Sequence, residues 1–212
     1  MVQKDIGNIK LYLDDPAIAE EMGSGFYEPW LLDFIKANIS GGTWIDCGAN
    51  FGNHTVWFDK HCYNSKVVAI EPMPENLEYL QRNVSVNDCS KTRIVKAAVS
   101  DRKGKGEAVR IGRKSQYKVQ EGRGAIQVIT IDSLKLRDVR LIKMDVEGHE
   151  MAALKGAHDT IKKYKPELFI EIWHDLDKFQ QHLSQYGYEV KQRYCHAPVY
   201  HFSTKDFPRL LK

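Results

Sequence analysis

Five nearly continuous apolar runs recur along the chain, and each is rich in β-branched residues. Runs of this kind are typical of strands that are buried on both faces of a parallel sheet. Between them, apolar residues recur at three- and four-residue steps, as they do on one face of a helix. This alternation predicts an α/β fold with a doubly wound sheet. The predicted strands are TWIDC (43–47), KVVAIE (66–71), RIVKAAV (93–99), RLIKMDV (140–146) and ELFIEIW (167–173).

Four helices are predicted between and after these strands. In one of them a proline stands at a first-turn position, and Leu77, Leu80 and Val84 share one face. Gly187 is expected to end the last of the four, because glycine readily adopts the left-handed conformation of a helix C-terminus. The predicted helices span residues 53–62, 74–87, 149–164 and 177–186.

Three segments depart from this rhythm. Residues 104–130 contain EAVRI and IQVIT around a basic loop with glycines, which predicts a hairpin. The tail contains YEVKQRY (188–194) and VYHF (199–202), which predict a second antiparallel hairpin at one edge of the sheet. The first 25 residues contain the strand-like IKLYL and an acidic helical piece, and they are candidates to cover a ligand cleft.

Composition places the 212 residues among ordinary globular chains, with 42% hydrophobic and 28% charged residues, and one domain is expected. No apolar run approaches the roughly 18 residues that a membrane span needs. The start of the chain, MVQKDIGNIK, has no apolar signal core. Four scattered cysteines without a C-x-x-C pair favour a reduced, cytoplasmic setting.

The net charge is only +3, but basic residues are concentrated between Arg102 and Arg123. Eight basic residues stand there against Glu107 and Glu121. One interpretation is a solvated, mobile hairpin. The other is a patch that attracts an anionic substrate. The sequence leaves both open.

The turn after the first strand reads Asp46-Cys47-Gly48-Ala49-Asn50-Phe51-Gly52. In open α/β sheets, ligands bind at the carboxyl ends of strands. We expect Gly48 to permit a tight turn and Gly52 to let the next helix pack close to the sheet. A dinucleotide-binding loop has a glycine at the position of Asn50. The Asn50 side chain blocks the close approach of a diphosphate but can hydrogen-bond to a ligand that has none. The helix N-terminus favours a carboxylate, and Asp46 suits an ammonium group.

Glu71 ends the second strand, 25 residues after Asp46. An acidic residue in this place typically accepts hydrogen bonds from both hydroxyls of a ribose. It would repel a 2′-phosphate, which argues against NADP. An amino-acid group at the first loop and a ribose at the second together describe S-adenosylmethionine.

Motifs spread over about 130 residues resemble the FkbM-type S-adenosylmethionine-dependent methyltransferases. The matching motifs, in order, are IDCGANFGNHT (45–55), AIEPMPENLEYLQRN (69–83), AAVSD (97–101), IKMDVEGHEMAALKGA (142–157) and PELFIEIWH (166–174). The sequence departs from the family pattern at Cys47 and at His54, where the family often has valine and small or aromatic residues, respectively.

The resemblance implies a Rossmann-like, seven-stranded class I methyltransferase sheet whose last strand is antiparallel, with the basic hairpin inserted. It divides the chain into an N-terminal strand and helix segment, residues 1–40, that packs on the cleft, and a methyltransferase domain, residues 41–212. The residues that we expect in the cofactor site are Asp46, Gly48, Ala49, Asn50, Gly52, Glu71, Pro72, Met73, Ser100, Asp101 and Asp145. Of these, Ser100 and Asp101 are expected near the adenine.

The fourth strand ends in KMDVEGHE, where Asp145, Glu147 and His149 alternate. These three residues suggest a metal site, but one is not expected, because Gly148 breaks the extended pattern and no second cluster has ligand spacing. Instead, Asp145 and Glu147 are expected to face the cleft beside the transferred methyl group. His149 and Glu150 would start the next helix.

The fifth strand supplies Glu171 and His174, whose spacing sends them to opposite faces, so that at most one need point to the substrate. The predicted reaction is O-methylation of a sugar, glycan or natural-product-like hydroxyl, on an acceptor that could be anionic. Such a nucleophile needs its proton removed. The candidate bases are His174, His149 and Asp145, and Glu147 and Glu171 are the candidate substrate-binding residues.

Three rival interpretations remain at this stage. An N-methyltransferase acting on nucleic acid suits the basic hairpin, but the fourth strand lacks the Pro-Pro-aromatic turn that enzymes of that kind commonly have. An NAD-dependent oxidoreductase suits the fold, but Asn50 counts against it. A non-catalytic cofactor-binding module would keep the same motifs. The sequence does not indicate an oligomeric state.

Overall fold

The computed structural model describes residues 1–110, 117–194 and 197–206. Its strands are β1 (Val2–Ile6), β2 (Ile9–Leu13), β3 (Gly42–Cys47), β4 (Ser65–Ile70), β5 (Thr92–Val95), β6 (Ala98–Val99), β7 (Gly104–Arg110), β8 (Tyr117–Glu121), β9 (Ile126–Ile129), β10 (Val139–Met144), β11 (Glu167–Glu171), β12 (Glu189–Tyr194) and β13 (Val199–Ser203). Its helices are α1 (Pro16–Glu21), α2 (Pro29–Asn38), α3 (Asn53–His61), α4 (Pro74–Val86), α5 (Glu150–Lys155), α6 (His158–Tyr164) and α7 (Leu176–Ser184), and a 3₁₀ turn spans Asp132–Leu134.

Seven strands form the central sheet, in the order β5-β4-β3-β10-β11-β13-β12. Strands β5, β4, β3, β10 and β11 are parallel, whereas β13 is antiparallel to both of its neighbours. The expected antiparallel last strand is therefore present. The strand order reverses between β3 and β10, where the N–H of Asp145 donates to the carbonyl of Cys47 at 3.1 Å. A ligand cleft is expected at the carboxyl ends of these two strands.

Apolar layers cover both faces of this sheet. Trp44 and Phe58 lie in one layer, and Ile45 and Met144 lie in the other. The near-continuous apolar runs of the sequence thus correspond to strands that are buried on both sides. No helix in the described part of the chain is long and apolar enough to cross a membrane.

The run 93–99 was predicted as one strand, and that prediction is wrong. The chain turns after Val95, where the N–H of Ala97 donates to the Val95 carbonyl at 3.1 Å. Strand β5 stays in the central sheet, while β6 pairs with β9 in a separate four-stranded sheet of order β6-β9-β7-β8. Apolar continuity alone could not reveal that the chain changes sheets.

The segment 104–130 forms three strands, where two were predicted. Strands β7 and β8 make the antiparallel pair, and β9 pairs with the other side of β7. The predicted loop between EAVRI and IQVIT spans residues 112–125, and β8 lies within it. Residues 111–116, which include Arg113 and Lys114 of the basic cluster, lie outside the described residues. Cys195 also lies outside them.

The helix predicted over 149–164 is interrupted. Helix α5 ends before Gly156, and α6 begins after Ala157. A Cβ atom at Gly156 would lie 1.9 Å from the carbonyl oxygen of Ser100, so only glycine allows this approach of the two backbones. The residues carry a helical period throughout, but the break meets contacts from distant loops: the N–H of Asp132 donates to the Gly156 carbonyl at 3.0 Å, and the Asp132 carboxylate accepts from the N–H groups of Asp159 and Thr160.

Strand β1 and helix α2 were not predicted. Strand β1 pairs with β2, and α4 fixes the outer edge of β2 through two asparagines. Asn83 exchanges two hydrogen bonds with the backbone of Tyr12, at 2.7 and 2.8 Å, and Asn87 does the same with Lys10, at 2.9 and 2.7 Å. These amides satisfy edge N–H and C=O groups that a further strand would otherwise pair.

Candidate functional site

The turn after β3 approaches the end of β10 closely. Gly48 has φ +78°, and a Cβ atom there would lie 1.7 Å from the carbonyl oxygen of Asp145. The N–H groups of Gly48 and Ala49 both donate to the carbonyl of Ile70, at 2.9 and 3.1 Å. Glycine is therefore required at position 48 for the approach to Asp145 as well as for the positive φ.

Gly52 serves a different neighbour from the one expected. Its φ is +93°, and a Cβ atom would lie 2.7 Å from Cδ1 of Leu80 on α4. The glycine thus lets the start of α3 approach helix α4, whereas the sequence suggested an approach to the sheet. Asn50 also has a positive φ, +50°, a conformation that asparagine tolerates better than most residues.

The Glu71 carboxylate connects two loops. Its Oε2 accepts a hydrogen bond from the backbone N–H of Asn50 at 2.8 Å, and its Oε1 accepts from the N–H of Met73 at 3.0 Å and from Nδ2 of Asn76 at 3.3 Å. Burial raises the pKa of Glu71 to about 7, although these donors lower it in part.

A first cavity, which we call the cofactor cavity, runs along the ends of β3, β4 and β10. The backbone and side chains that surround it belong to Gly48, Asn50, Ile70, Glu71, Pro72, Met73, Asn76, Ala97, Ala98, Val99, Tyr117, Val119, Asp145, Val146, Glu147 and His149. Many of these were expected from the motifs. Tyr117 and Val119 were not, because β8 belongs to the inserted basic segment and carries no motif.

A second cavity of about 220 Å³ adjoins the first, and we call it the acceptor cavity after the role that we propose for it below. It shares Gly48, Asn50, Asp145 and Glu147 with the cofactor cavity. Its remaining lining comes from Ile18, Glu21, Tyr27, Glu28, Ala49, Phe51, Asn53, His54, Lys143, Glu171 and Trp173. The two cavities therefore meet at the ends of β3 and β10.

The turn after β10 places carboxylates at this junction. Glu147 has φ +54°, and the buried Glu150 holds the turn, since its Oε1 accepts from the N–H groups of Val146 and Gly148, both at 3.1 Å. Burial, and then repulsion from Asp145 and Glu150, raises the pKa of Glu147 to about 7. Glu150 therefore does more than complement the dipole of the helix that it starts.

Lys143 is the lysine that lines the acceptor cavity. Its Nζ lies 3.2 Å from Oδ2 of Asp145. Burial alone would lower its pKa, but Asp145, Asp46 and Glu28 outweigh that effect and raise the pKa of Lys143 above its ordinary value. Burial, followed by repulsion from Asp145, raises the pKa of Glu171. The cavity thus holds more carboxylates than the lysine can neutralise.

Asp46 lies beneath the turn and lines neither cavity. It is fully buried, its Oδ2 accepts from Oγ1 of Thr55 at 2.6 Å, and its Oδ1 has no hydrogen-bond partner among the described residues. Its contact with an ammonium group stays a prediction.

Four other predicted residues also lie outside the linings of the two cavities. Ser100 is buried and donates to Glu121, Asp101 is exposed beside Arg102, and Gly52 faces α4. His174 is exposed, three residues after the end of β11. Pro72, Met73 and His149 line the cofactor cavity, Ala49 and Glu171 line the acceptor cavity, and Asp145 and Glu147 line both.

His54 and Glu28 were missed as site residues. The Nε2 of His54 lies 3.0 Å from Oε2 of Glu28, and both side chains are buried in the wall of the acceptor cavity. His54 was visible in the sequence only as a departure from the family pattern. No sequence motif includes Glu28, because only the folding of the N-terminal segment brings this residue to the cavity. Among the residues that the structure describes, no group of three or more His, Cys, Asp or Glu side chains could hold a metal ion.

A model of the methyltransferase FkbM domain matches residues 46–190. The chain belongs to this family. One curated relative is methyltransferase sdnD of Sordaria araneosa, 23% identical over 171 residues, which are 61% of this FkbM-domain chain and 65% of the relative. The chain thus spans slightly less than two thirds of that protein.

Two solved structures share the fold. Methyltransferase FkbM from Methylobacillus flagellatus KT superposes with a TM-score of 0.59 at 24% identity, over 77% of this chain and 43% of that one. The M. jannaschii protein TYW2, solved in complex with AdoMet, superposes with a TM-score of 0.52 at 14% identity, over 95% and 82% of the two chains.

The methyl donor of this family is S-adenosylmethionine, and the cofactor cavity suits that molecule. Gly48 lets the turn after β3 lie against the Asp145 backbone, and both residues line the cavity at the strand ends. Glu71 presents a carboxylate where a ribose is expected, and Ala97, Ala98 and Val99 offer an apolar wall to an adenine. Among the described residues, no lysine or arginine lines this cavity to pair with a diphosphate.

Proposed function

We propose that this FkbM-family methyltransferase transfers a methyl group from S-adenosylmethionine to a hydroxyl of a sugar, glycan or natural-product-like acceptor. The observation that carries the proposal is the junction of two cavities at Asp145 and Glu147. One cavity has the residues for the donor, and the other offers polar and aromatic groups to a second molecule. Alignment of the two ligands is the main contribution that a protein makes to such a transfer.

In the cofactor cavity we assign Glu71 to the ribose hydroxyls, and Gly48 and Asn50 to the amino-acid end. Ala49 lines only the acceptor cavity, and we assign it to the border between the two cavities. Asp46, Gly52, Ser100 and Asp101 support this cavity from positions outside its lining. S-adenosylmethionine, when bound, supplies an activated methyl group. Asp145 and Glu147 then stand between the cofactor and acceptor cavities, where they can orient the acceptor hydroxyl through hydrogen bonds.

The acceptor in this proposal is neutral or positively charged. Among the described residues, five with carboxyl side chains line the acceptor cavity against one lysine, so an anion would meet net repulsion. This argues against the anionic acceptor that the basic segment suggested. Carboxylates accept hydrogen bonds from hydroxyls, and Trp173, 64% exposed, offers an indole face on which the apolar face of a sugar ring can pack.

The three bases considered from the sequence differ in placement. His174 lines neither cavity, and His149 lines only the cofactor cavity. Asp145 lines both cavities, but its Oδ2 accepts a hydrogen bond from Lys143.

Nucleic acid is a less favoured acceptor. Strand β8, which belongs to the basic segment, lies beside the cofactor cavity through Tyr117 and Val119, and this observation favours nucleic acid. The acidic acceptor cavity opposes a phosphate backbone. A tight and steeply salt-dependent affinity for a fluorescent single-stranded RNA, compared at 50 and 200 mM salt, would favour the nucleic-acid alternative.

We also propose that the enzyme works in the cytoplasm. Cys47, Cys62 and Cys89 are free and buried, which suits a reduced, cytoplasmic setting. We assign residues 1–40 to closing the acceptor cavity, and we propose catalysis without a metal ion.

The experiment that tests the function is a transfer assay with methyl-labelled S-adenosylmethionine. The acceptors are methyl glycosides of neutral hexoses, 6-deoxyhexoses and amino sugars, with hexuronic acids as the anionic comparison and RNA as the rival. Label in a base-stable ether of a neutral or amino glycoside supports O-methylation. Label in RNA alone, or in hexuronic acids alone, would contradict it.

A further inference from the structure

The pair His54 and Glu28 occupies the wall of the acceptor cavity. Their side chains are 8% and 6% exposed, and His54 Nε2 lies 3.0 Å from Glu28 Oε2. The contact is within ion-pair distance but is not aligned as a hydrogen bond. The second ring nitrogen, Nδ1, makes no hydrogen bond with any described residue. The pair therefore leaves one nitrogen of a buried imidazole free beside a cavity.

A backbone contact holds the two residues together. The N–H of Tyr27 donates to Oδ1 of Asn53 at 2.9 Å, and Nδ2 of Asn53 donates to the carbonyl of Tyr27 at 3.2 Å. Glu28 directly follows Tyr27 in the sequence, and His54 directly follows Asn53. The Asn53 amide thus sets the register between the N-terminal segment and the first turn of α3, and that register brings carboxylate and imidazole together.

Glu28 is held in an unfavourable conformation. Its φ is +57° and ψ +52°, and it precedes Pro29, which disfavours helical conformations in the residue before it. A non-glycine residue in the left-handed region costs on the order of 1 kcal/mol, so other contacts must hold it there. The paired hydrogen bonds between Tyr27 and Asn53 are the adjacent contacts that can do so.

The carboxylate determines which nitrogen carries the proton. A neutral imidazole has one N–H and one lone pair, and an anion beside Nε2 favours the proton at that nitrogen. The lone pair is then on Nδ1. Catalytic hydrogen bonds are often poorly aligned before ligands bind, so the present angle does not count against the role.

We infer that His54 is the general base of the transfer and that Glu28 is its positioning residue. The inference rests on the proposed function. The acceptor hydroxyl gives its proton to Nδ1 of His54 as its oxygen forms a bond to the methyl carbon, and the carbon–sulfur bond breaks with its electron pair remaining on sulfur. The sulfonium charge disappears and an imidazolium charge appears, so atoms and charge balance.

The charged groups around the cavity suit this step. An imidazolium formed at His54 is stabilised by nearby carboxylates, and a buried pair with Glu28 feels this attraction most directly. Lys143 opposes it, but Lys143 is itself paired with Asp145. The other charged or titratable side chains in the lining are Glu21, Tyr27, Asp145, Glu147 and Glu171.

The first test needs no acceptor. The protein is labelled with ¹⁵N-histidine and saturated with S-adenosylhomocysteine, and two-bond ¹⁵N–¹H spectra report the tautomer of each ring. His54→Gln assigns the signal. We expect the neutral ring of His54 to carry its proton on Nε2, and Glu28→Gln to increase the share protonated on Nδ1. A neutral ring protonated on Nδ1 in the unmutated protein would overturn the inference.

The second test uses whichever methyl glycoside the protein methylates. Because general-base catalysis contributes about 100- to 10,000-fold, His54→Gln is expected to lower kcat at least about 100-fold, while the Kd for S-adenosylhomocysteine and the melting temperature stay near those of the unmutated protein. Glu28→Gln should lower kcat less, by about tenfold, with the acceptor KM little changed. The control His61→Gln lies two turns along the same helix, outside both cavities, and should keep kcat within about twofold.

The two tests separate the ways in which the account can fail. If no glycoside is methylated, the proposed acceptor class is wrong, and the tautomer still decides whether His54 is arranged as a base. If a glycoside is methylated and His54→Gln keeps kcat within threefold, the transfer occurs but His54 is not its base.

Discussion

The carboxylate of Glu71 accepts a hydrogen bond from the backbone N–H of Asn50 at 2.8 Å. One side chain thereby fixes the glycine turn after β3 and also lines the cofactor cavity from β4. The glycine turn, which was expected to bind the amino-acid end of the cofactor, and the end of β4, which was expected to bind its ribose, are therefore coupled through Glu71. A change at Glu71 should disturb the turn as well as remove an acceptor for ribose.

Replacement of this carboxylate should weaken cofactor binding. Glu71→Gln removes the charge that receives the Asn50 and Met73 N–H groups, and charged hydrogen bonds are worth about 1.5–3 kcal/mol, so the Kd for S-adenosylhomocysteine should rise about 10- to 100-fold. Isothermal titration calorimetry measures it. Glu75→Gln, an exposed change on α4, is the control, and equal affinities in the two variants would refute the assignment.

Cofactor affinity should depend on pH through the same group. Burial raises the pKa of Glu71 to about 7, so the cofactor-free protein holds it protonated below that pH. Hydroxyl recognition favours the ionised form, so the Kd should be about three- to tenfold higher at pH 6 than at pH 8. Isothermal titration calorimetry measures the Kd at both pH values for the unmutated protein and for Glu71→Gln. Glu71→Gln should lose most of this dependence, and an unchanged slope would point to another group.

Gly48 and Gly187 separate two costs of adding a methyl group. Their φ values are +78° and +81°, but a Cβ at Gly48 would lie 1.7 Å from the Asp145 carbonyl, whereas nothing lies within 4 Å at Gly187. Gly187→Ala should cost about 1 kcal/mol from its backbone conformation, and Gly48→Ala at least about 3 kcal/mol. Urea unfolding measures both. Equal losses would mean that the turn moves away from β10 easily.

Stability should fall as pH rises through the range in which Glu147 ionises. Burial and nearby carboxylates raise its pKa to about 7, above its ordinary value, so the folded state holds the proton more tightly than the unfolded state. The contribution of Glu147 is thus fully present below about pH 4.5 and lost by about pH 7. Glu147→Gln should be about 1 kcal/mol more stable than the unmutated protein at pH 8, after allowance for solvent screening, and nearly equal at pH 4. Urea unfolding at both pH values measures the difference, and an advantage that is larger at pH 4 would reverse the sign and refute the argument.

Trp173 should contribute to acceptor binding alone. It lines the acceptor cavity with 64% of its surface exposed, whereas Trp30 is 78% exposed and lines neither cavity. Because an aromatic contact is worth about 0.5–1.5 kcal/mol, Trp173→Ala should raise the KM for a methylated glycoside about three- to tenfold with no change in the Kd for S-adenosylhomocysteine. Trp30→Ala should change neither quantity. If Trp173→Ala instead raised the Kd for S-adenosylhomocysteine, Trp173 would not act on acceptor binding alone.

Much of the fold could be predicted because its signals are local. The apolar runs identified β3, β4, β10 and β11, and the glycine turn together with Glu71 located the cofactor cavity. Each of these depends on residues close in sequence. The errors occurred where a distant contact decides the structure, as at Gly156, which touches Ser100, and at Ala97, where the chain leaves one sheet for another.

The acceptor cavity could not be predicted for the same reason. Glu28 approaches His54 only because Asn53 binds the backbone of Tyr27, and no pattern in residues 26–28 announces that contact. The charge of the cavity was also hidden. The carboxylates of the cavity come from several separate segments, so the sequence does not show them as a cluster. The basic residues between Arg102 and Arg123 lie in one stretch and are visible as a cluster.

The contact between Tyr27 and Asn53 has a consequence for how such enzymes can diverge. The family match begins at residue 46, so Asn53 belongs to the shared domain, while Tyr27 and Glu28 precede it. Among the described residues, those that line the cofactor cavity lie within the matched region, while one wall of the acceptor cavity comes from the segment before it. We expect changes in that segment to alter the choice of acceptor more than the binding of the methyl donor.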